Sequence, residues 1–229
     1  MTNMKRAAGR RAADLVLNGT TVGLGTGTTV AFVLERLAER IRREGLRVRG
    51  LPTSRRTEEA ALALGIPLVS FDDVAALDLA IDGADEVDPR WNLIKGGGGA
   101  LLREKVVATA SRSTTIVVGE DKLVPRLGKF PLPVEVVRFA WRPVARAIEA
   151  LGCKAQLRRG PAGAAYVTDE GHHVLDCRFG RIDDPAALDG AIDRIPGVVE
   201  TGIFVGLVRR LVVGRGDGSV EVLDRPAAG

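Results

Sequence analysis

Short apolar runs alternate with stretches of helical spacing through the first half of the chain, and most of those runs lead into a polar motif. Thr21-Val22-Gly23-Leu24 is the first strand candidate, and Val30 to Arg43 follows with helical spacing through Val30, Val33, Leu34, Leu37 and Ile41. Further strand candidates lie at Leu46 to Leu51, Ile66 to Val69, Leu77 to Ile81 and Thr115 to Val118, with a helix at Thr57 to Leu64. Strand–helix alternation predicts an α/β fold in which a mostly parallel sheet carries helices on both faces. In such sheets the ligand sits beyond the carboxyl ends of the strands. GTGTT follows the strand at Val22, PTS follows Leu51 and DGAD follows Ile81, so the three motifs are expected on one edge of the sheet.

Phe130-Pro131-Leu132-Pro133 breaks this pattern and marks a boundary. Beyond it the chain reads strand (Val134 to Phe139), helix (Pro143 to Leu151) and strand (Lys154 to Leu157). A hairpin from Ala165 to Cys177 turns near Glu170-Gly171, and helix Pro185 to Arg194 and strand Val198 to Phe204 complete a split β-α-β arrangement. Residues 131–204 are thus expected to form a smaller α+β domain, and 1–130 with 205–229 the larger one. The tail LVVGRGDGSVEVL reads as a hairpin with Asp217-Gly218 in its turn, returning to the first sheet.

Bulk properties narrow the functional classes. A hydrophobic content of 45% with 27% charged residues is that of an ordinary globular chain. The net charge of +4 comes from scattered arginines with no basic block interleaved with aromatics, which argues against nucleic-acid binding and favours an anionic metabolite. The basic N-terminal stretch reads as an amphipathic helix and not as a signal peptide, because Asp14 interrupts any apolar core and no small-residue cleavage site follows; no apolar run reaches the ~18 residues of a membrane span. Cys153 and Cys177, few and far apart, suggest reduced thiols, although a single disulfide between them stays open. The expectation is a soluble cytoplasmic protein with neither a nucleic-acid nor a membrane partner.

The densest chemistry runs from Asp82 to Lys105: DGADEVD, PRWNLI, KGGGGALLREK. Asp82 and Asp85 flank Gly83-Ala84 after an apolar strand, so a turn can aim both carboxylates into one cleft. There they can accept hydrogen bonds from sugar hydroxyls or pass protons between neighbouring oxygens. Lys95 precedes Gly96-Gly97-Gly98-Gly99, a run costly to order unless backbone must approach something closely. Leu101 to Ala110 reads as a helix, which places Glu104 near its N-terminal end. In the first loop, Thr26, Gly27, Thr28 and Thr29 lie between a strand and a helix start, a setting for a compact phosphate. The loop lacks the third glycine of a dinucleotide site and the Gly-Lys of a Walker loop. The alternative is a tight turn with Thr28 or Thr29 capping the helix. For the carboxylates a metal is the rival, but no calcium-loop spacing is present, and His172 and His173, adjacent on a strand, face opposite ways.

With VGLGTGTT, PTSRRT, DGADEVD, IKGGGGALLREK, DKLVPRLGKFPLPVEV and PGVVETGIF in order, the chain resembles the ribose-5-phosphate isomerase type A family from about Lys5 to Val222. Thr28 stands where the family usually has serine, and keeps its hydroxyl; Asp121 stands where the family often has serine before the lysine matching Lys122, which leaves that lysine's role open. The resemblance implies a Rossmann-like catalytic domain and a smaller, ferredoxin-like α+β domain, assembled as a homodimer with a tetramer as the alternative. It implies interconversion of D-ribose 5-phosphate and D-ribulose 5-phosphate through an enediolate, with no metal and no organic cofactor. Glu104 would be the general base, and Asp82, Asp85 and Lys95 would manage the open-chain sugar's oxygens. Thr26, Gly27, Thr28, Thr29, Gly83, Ala84, Gly96, Gly97, Gly98 and Lys122 would line the substrate site. A non-catalytic sugar-phosphate sensor and a sugar-phosphate deaminase of related fold are the rival readings.

Overall fold

The computed structural model describes residues 2–225. In chain order the elements of the first part are α1 (Thr2–Asp14), β1 (Thr20–Leu24), α2 (Thr28–Glu44), β2 (Val48–Pro52), α3 (Arg55–Ala63), β3 (Leu79–Asp82), β4 (Glu86–Val87), β5 (Leu93–Ile94), α4 (Leu101–Thr109) and β6 (Thr114–Gly119). There follow β7 (Leu132–Val136), α5 (Trp141–Glu149), β8 (Lys154–Leu157), β9 (His173–Arg178), α6 (Pro185–Asp193), β10 (Val198–Thr201), β11 (Ile203–Phe204), β12 (Arg210–Gly214) and β13 (Val220–Asp224). Two compact units result: residues 2–84, 103–122 and 207–225 form one, and 85–102 with 123–206 the other. Residues 85–102, 123–130 and 205–206, expected from the sequence in the larger domain, fall in the second unit.

The first unit is built on a six-stranded sheet of order β13-β12-β6-β3-β1-β2. Every neighbouring pair is parallel except the closing β12–β13 hairpin, which returns to this sheet as the tail pattern predicts. Alternation along β3 sends Ile81 to the core under α1 and α2, and Ala80 to a second core that includes Val107 of α4, so helices cover both faces. On α2 the buried set Val30, Val33, Leu34, Leu37 and Ala38 keeps helical spacing, and Gly45 in the left-handed region (φ 68°) ends the helix. Each fully buried leucine or isoleucine in these layers contributes roughly 1.5–3 kcal/mol. The expected strand at Ile66 to Val69 is a correction: it makes a single parallel bridge, Leu68 with Gly50, before Ser70 and Asp73 turn the chain away.

In the second unit β7, α5, β8, β9, α6 and β10 form a β-α-β-β-α-β unit with an antiparallel sheet of order β10-β7-β9-β8, the ferredoxin-like arrangement. Three features differ from the expectation. The strand begins at Leu132 and runs through Pro133, so the prolines lie within or beside a strand, and the unit boundary falls earlier, between Lys122 and Leu123. Residues 165–172 make a bridge (Arg159 with Ala165) and a turn (Gly171 N to Thr168 O, 2.9 Å) instead of the hairpin's first arm, leaving His172 outside β9. Val198 to Phe204 splits at Gly202 into β10 and β11, and β11 joins β5 and β4 in a separate three-stranded sheet. Cys153 and Cys177 are both free thiols, the second buried.

Candidate functional site

One group of candidate residues, all in the first unit, is at the carboxyl ends of β1, β2 and β3. Gly25 follows β1 and donates its N–H to Ile81 O at 2.9 Å, drawing the loop against the end of β3. A Cβ on Gly25 would lie 2.1 Å from Asp82 Oδ1, so the missing side chain is the space the Asp82 carboxylate occupies. That carboxylate is 5% exposed, and its Oδ1 accepts hydrogen bonds from Thr26 N (3.0 Å) and Gly83 N (2.7 Å), which fix its orientation.

Around Thr26 the hydroxyls form one directed chain. Thr26 Oγ1 lies 2.9 Å from Thr53 Oγ1 and donates to Ser54 Oγ at 2.8 Å. Ser54 Oγ donates to Thr57 Oγ1 at 3.0 Å, and Thr57 Oγ1 donates to Gly25 O at 2.8 Å. Ser54 also caps α3 by accepting from Thr57 N, so the PTS motif serves the loop and the helix together. Neither Thr28 nor Thr29 caps α2: the cap position is Gly27, at φ 124°, with no side-chain bond. The N–H groups opening α2 thus have no side-chain cap from Gly27, and an anion can accept from them.

Two residues that the sequence did not point to stand here. Lys5 Nζ donates to Thr28 Oγ1 at 3.3 Å. Gly9, one helical turn further along α1, brings this about: a Cβ there would lie 2.8 Å from Phe32 Cβ and 2.9 Å from Thr29 O, so only glycine lets the two helices approach. The signal in the sequence was no more than a basic helix face. Thr53, Ser54 and Thr57 form the other omission, although PTS was marked as a strand-end motif.

Glu104 is in the first turn of α4 and is 5% exposed. Val107, on the same helix face, packs where a Cβ of Gly23 would be, 2.3 Å from its Cγ1, so this face of α4 lies directly on β1. The helix ends at the opposite edge of the sheet, where Leu77 N donates to Ala110 O at 3.0 Å before β3 begins. Glu104 accordingly lies on the sheet-facing side, one turn nearer the carboxyl ends of the strands than Val107. Lys122 is half-buried at the end of a 3₁₀ turn (Glu120–Lys122) after β6, and Asp121 folds back over Gly119, where a Cβ would meet its Oδ1 at 2.5 Å.

The other candidate residues belong to the second unit, since the division falls between Ala84 and Asp85. Asp85 donates its N–H to Ile94 O at 2.8 Å, and its Oδ2 accepts from Gly97 N at 2.7 Å. Gly96, at φ 96°, is buried, and Gly97 and Gly98 are exposed. Lys95 is 3% exposed, with its ammonium 5.5 Å from the centroid of the Phe204 ring, a cation–π distance. Its backbone N–H donates to Gly202 O at 2.9 Å. The other acids of DGADEVD serve the fold. Glu86 accepts from Gly128 N and Phe130 N, and Asp88 from Arg90 N and Asn92 N. Among the described residues no cluster of three or more His, Cys, Asp or Glu could hold a metal ion, and no helix is long and apolar enough to cross a membrane.

A mostly parallel sheet whose strand ends gather a fixed carboxylate, a hydroxyl chain and an open helix start defines an α/β protein of the kind that handles small anionic metabolites. Residues 49–218 match the family model of ribose 5-phosphate isomerase A (phosphoriboisomerase A). The ribose-5-phosphate isomerase A of Gloeobacter violaceus is 54% identical over 227 residues, covering 98% of this chain and 97% of that protein. The solved structure of ribose 5-phosphate isomerase A from Methanocaldococcus jannaschii is 41% identical with a TM-score of 0.92, covering 97% of this chain and 98% of that one. A D-ribose-5-phosphate isomerase solved in complex with phospho-erythronic acid is 38% identical with a TM-score of 0.93, with the same coverage of 97% and 98%. The chain belongs to the ribose 5-phosphate isomerase A family.

Proposed function

We propose that the chain interconverts D-ribose 5-phosphate and D-ribulose 5-phosphate, with Glu104 as the base that moves a proton between C2 and C1. The observation that carries the assignment of the base is the buried carboxylate of Glu104 on the sheet-facing side of α4, toward the strand ends where Asp82 is fixed. Family membership over nearly the whole chain supports the reaction. So does the ligand of the solved relative, a phosphorylated sugar acid whose planar, charged two-oxygen end resembles an enediolate.

Glu104 takes the C2 proton of the open-chain aldose, and the electron pair moves into the C1–C2 bond as charge develops on O1. A proton passes from the O2 hydroxyl to O1, and Glu104 returns its proton to C1 as the O2 carbonyl forms. Asp82 and Asp85, each oriented by backbone N–H groups, hold the sugar oxygens through that transfer, and the Lys95 ammonium stabilises their negative charge. The phosphate is assigned to the loop of Thr26, Gly27, Thr28 and Thr29 with Lys122 and Lys5, and the sugar to Gly83, Ala84 and the loop Gly96, Gly97, Gly98. The proposal includes a homodimer acting in the cytoplasm, which light scattering of the purified protein tests for its oligomeric part.

Ketose formation from ribose 5-phosphate tests the reaction. Glu104→Ala should lower turnover by roughly 10²–10⁴, the usual value of positioned acid–base catalysis, with substrate affinity changed much less. Near-normal turnover in that variant overturns the role of Glu104. Binding of ribose 5-phosphate without any ketose would instead indicate a sensor, and ammonia released from an amino-sugar phosphate a deaminase.

A further inference from the structure

We propose that Arg158 is a positioning residue that sets the peptide orientations of the glycine loop 96–99. The inference rests on the reading of that loop as part of the sugar-phosphate site.

Arg158 follows β8, and its guanidinium divides its donors between two tasks. Nε and Nη2 form a bidentate pair with Asp176 of β9, at 3.0 and 2.5 Å. Nη1 donates to Gly96 O at 2.9 Å and to Gly97 O at 3.2 Å. The Arg158 side chain is 13% exposed; its bonds to Asp176 and to Gly96 O are partly buried, whereas the bond to Gly97 O lies at the surface. Tyr166 completes the cradle. Its ring lies 5.8 Å from the Arg158 guanidinium, and its hydroxyl donates to Gly98 O at 3.4 Å. Gly99, at φ 83°, passes so close beneath it that a Cβ would lie 2.2 Å from the phenol oxygen.

Three successive carbonyls of the loop are thus turned toward Arg158 and Tyr166, while the N–H of Gly97 points to Asp85 Oδ2. Four consecutive glycines have the largest conformational freedom a chain can have, and the turn bond inside the loop, Gly99 N to Gly96 O at 2.9 Å, leaves the Gly97 and Gly98 carbonyls unfixed. Because every carbonyl bond also fixes the N–H of the next peptide, Arg158 decides which way the loop's N–H groups face. It also holds the Gly97 N–H on the Asp85 carboxylate. Lysine cannot substitute: a single ammonium does not span a carboxylate and two carbonyls in the planar fork that arginine supplies.

The test compares wild type with Arg158→Met, which keeps the stem, and Arg158→Lys, which also keeps the charge. Amide hydrogen exchange is followed over 95–101 with and without phospho-erythronic acid, beside kcat and KM. In the wild type the ligand should protect the loop. Both variants, assayed well below their thermal midpoints, should exchange the loop at least about ten-fold faster and lose about 10–100-fold in kcat/KM, the order expected for a lost charge-assisted hydrogen bond. Asp176→Asn should reproduce part of the loss by releasing the fork, whereas Tyr166→Phe should cost less. Ligand protection of the loop in wild type with equal exchange and kcat/KM in both Arg158 variants overturns the proposal alone. Absence of ligand protection in the wild type removes the site reading itself, and the proposal with it.

Discussion

Gly25 and Gly27 stand two residues apart in one loop and are glycine for different reasons. At Gly25 the obstacle is a neighbour, the Asp82 carboxylate. At Gly27 it is the backbone itself, at φ 124°, with no atom within 4 Å of where a methyl group would stand. Gly25→Ala is expected to push Asp82 off its two N–H donors and to lower turnover by at least about ten-fold, with an overpacking cost of roughly 1–3 kcal/mol. Gly27→Ala should cost about 1–3 kcal/mol of strain in a thermal melt while leaving Asp82 in place. A Gly25→Ala enzyme with normal turnover would show that Asp82 is not needed where it stands. The sequence marked both as loop glycines but did not distinguish them, because the difference at Gly25 is set by a side chain on a strand far along the chain. For the same reason the hydroxyls of Thr28 and Thr29 were open to a capping role that Gly27 in fact fills.

Strands and helices followed their apolar spacing closely in the first unit, where periodicity and burial coincide, as on α2. The split of the expected strand Val198 to Phe204 arises where a backbone donor is missing. Gly202 N donates to Pro133 O at 2.8 Å, but Pro133 has no N–H with which to answer, and Gly202 O accepts from Lys95 N instead. That exchange ends β10, starts β11 and pins the backbone of Lys95, which is why a run of apolar residues read as one strand becomes two. Gly202 cannot bear a side chain, since a Cβ would lie 2.3 Å from Lys95 O and 2.9 Å from Pro133 Cδ. Because one obstacle is backbone and the other a rigid ring, Gly202→Ala is expected to destabilise by at least about 3 kcal/mol, at the upper end for overpacking. Urea titration measures this, and a change below about 1 kcal/mol would mean that the strand break is not held by this crossing.

The chain as a whole alternates between its two units, leaving the first at Ala84, re-entering it at Arg103, and closing its sheet with the last hairpin. The return of that hairpin was readable from its turn residues, but the departure at Asp85 was not, since strands as short as β4 and β5 carry no periodic signal. Both tryptophans, Trp91 and Trp141, belong to the second unit, so tryptophan fluorescence reports its unfolding specifically. Within that unit Glu135 of β7 is 1% exposed and accepts from Thr168 Oγ1 at 2.8 Å, with His172 Nδ1 2.9 Å away. Glu200 is its register partner on β10, and Glu170 adds a second negative charge nearby. Burial raises the Glu135 carboxyl above its ordinary value of 4.5, outweighing the hydrogen bonds from Thr168 and His172 that favour the charged form. The native state therefore holds this proton more tightly than the unfolded chain does. The resulting stability is fully present below the unfolded value and is lost as pH rises through the raised native one. Glu135→Gln keeps the acceptor oxygen but cannot ionise, so it should match wild type at low pH. Between about pH 4.5 and the point where Glu135 is fully ionised, the fluorescence-detected midpoint of wild type should fall progressively relative to the variant, then run parallel to it. Midpoints that stay parallel across the whole range would show that Glu135 is already charged in the native fold, with His172 and Thr168 compensating its burial.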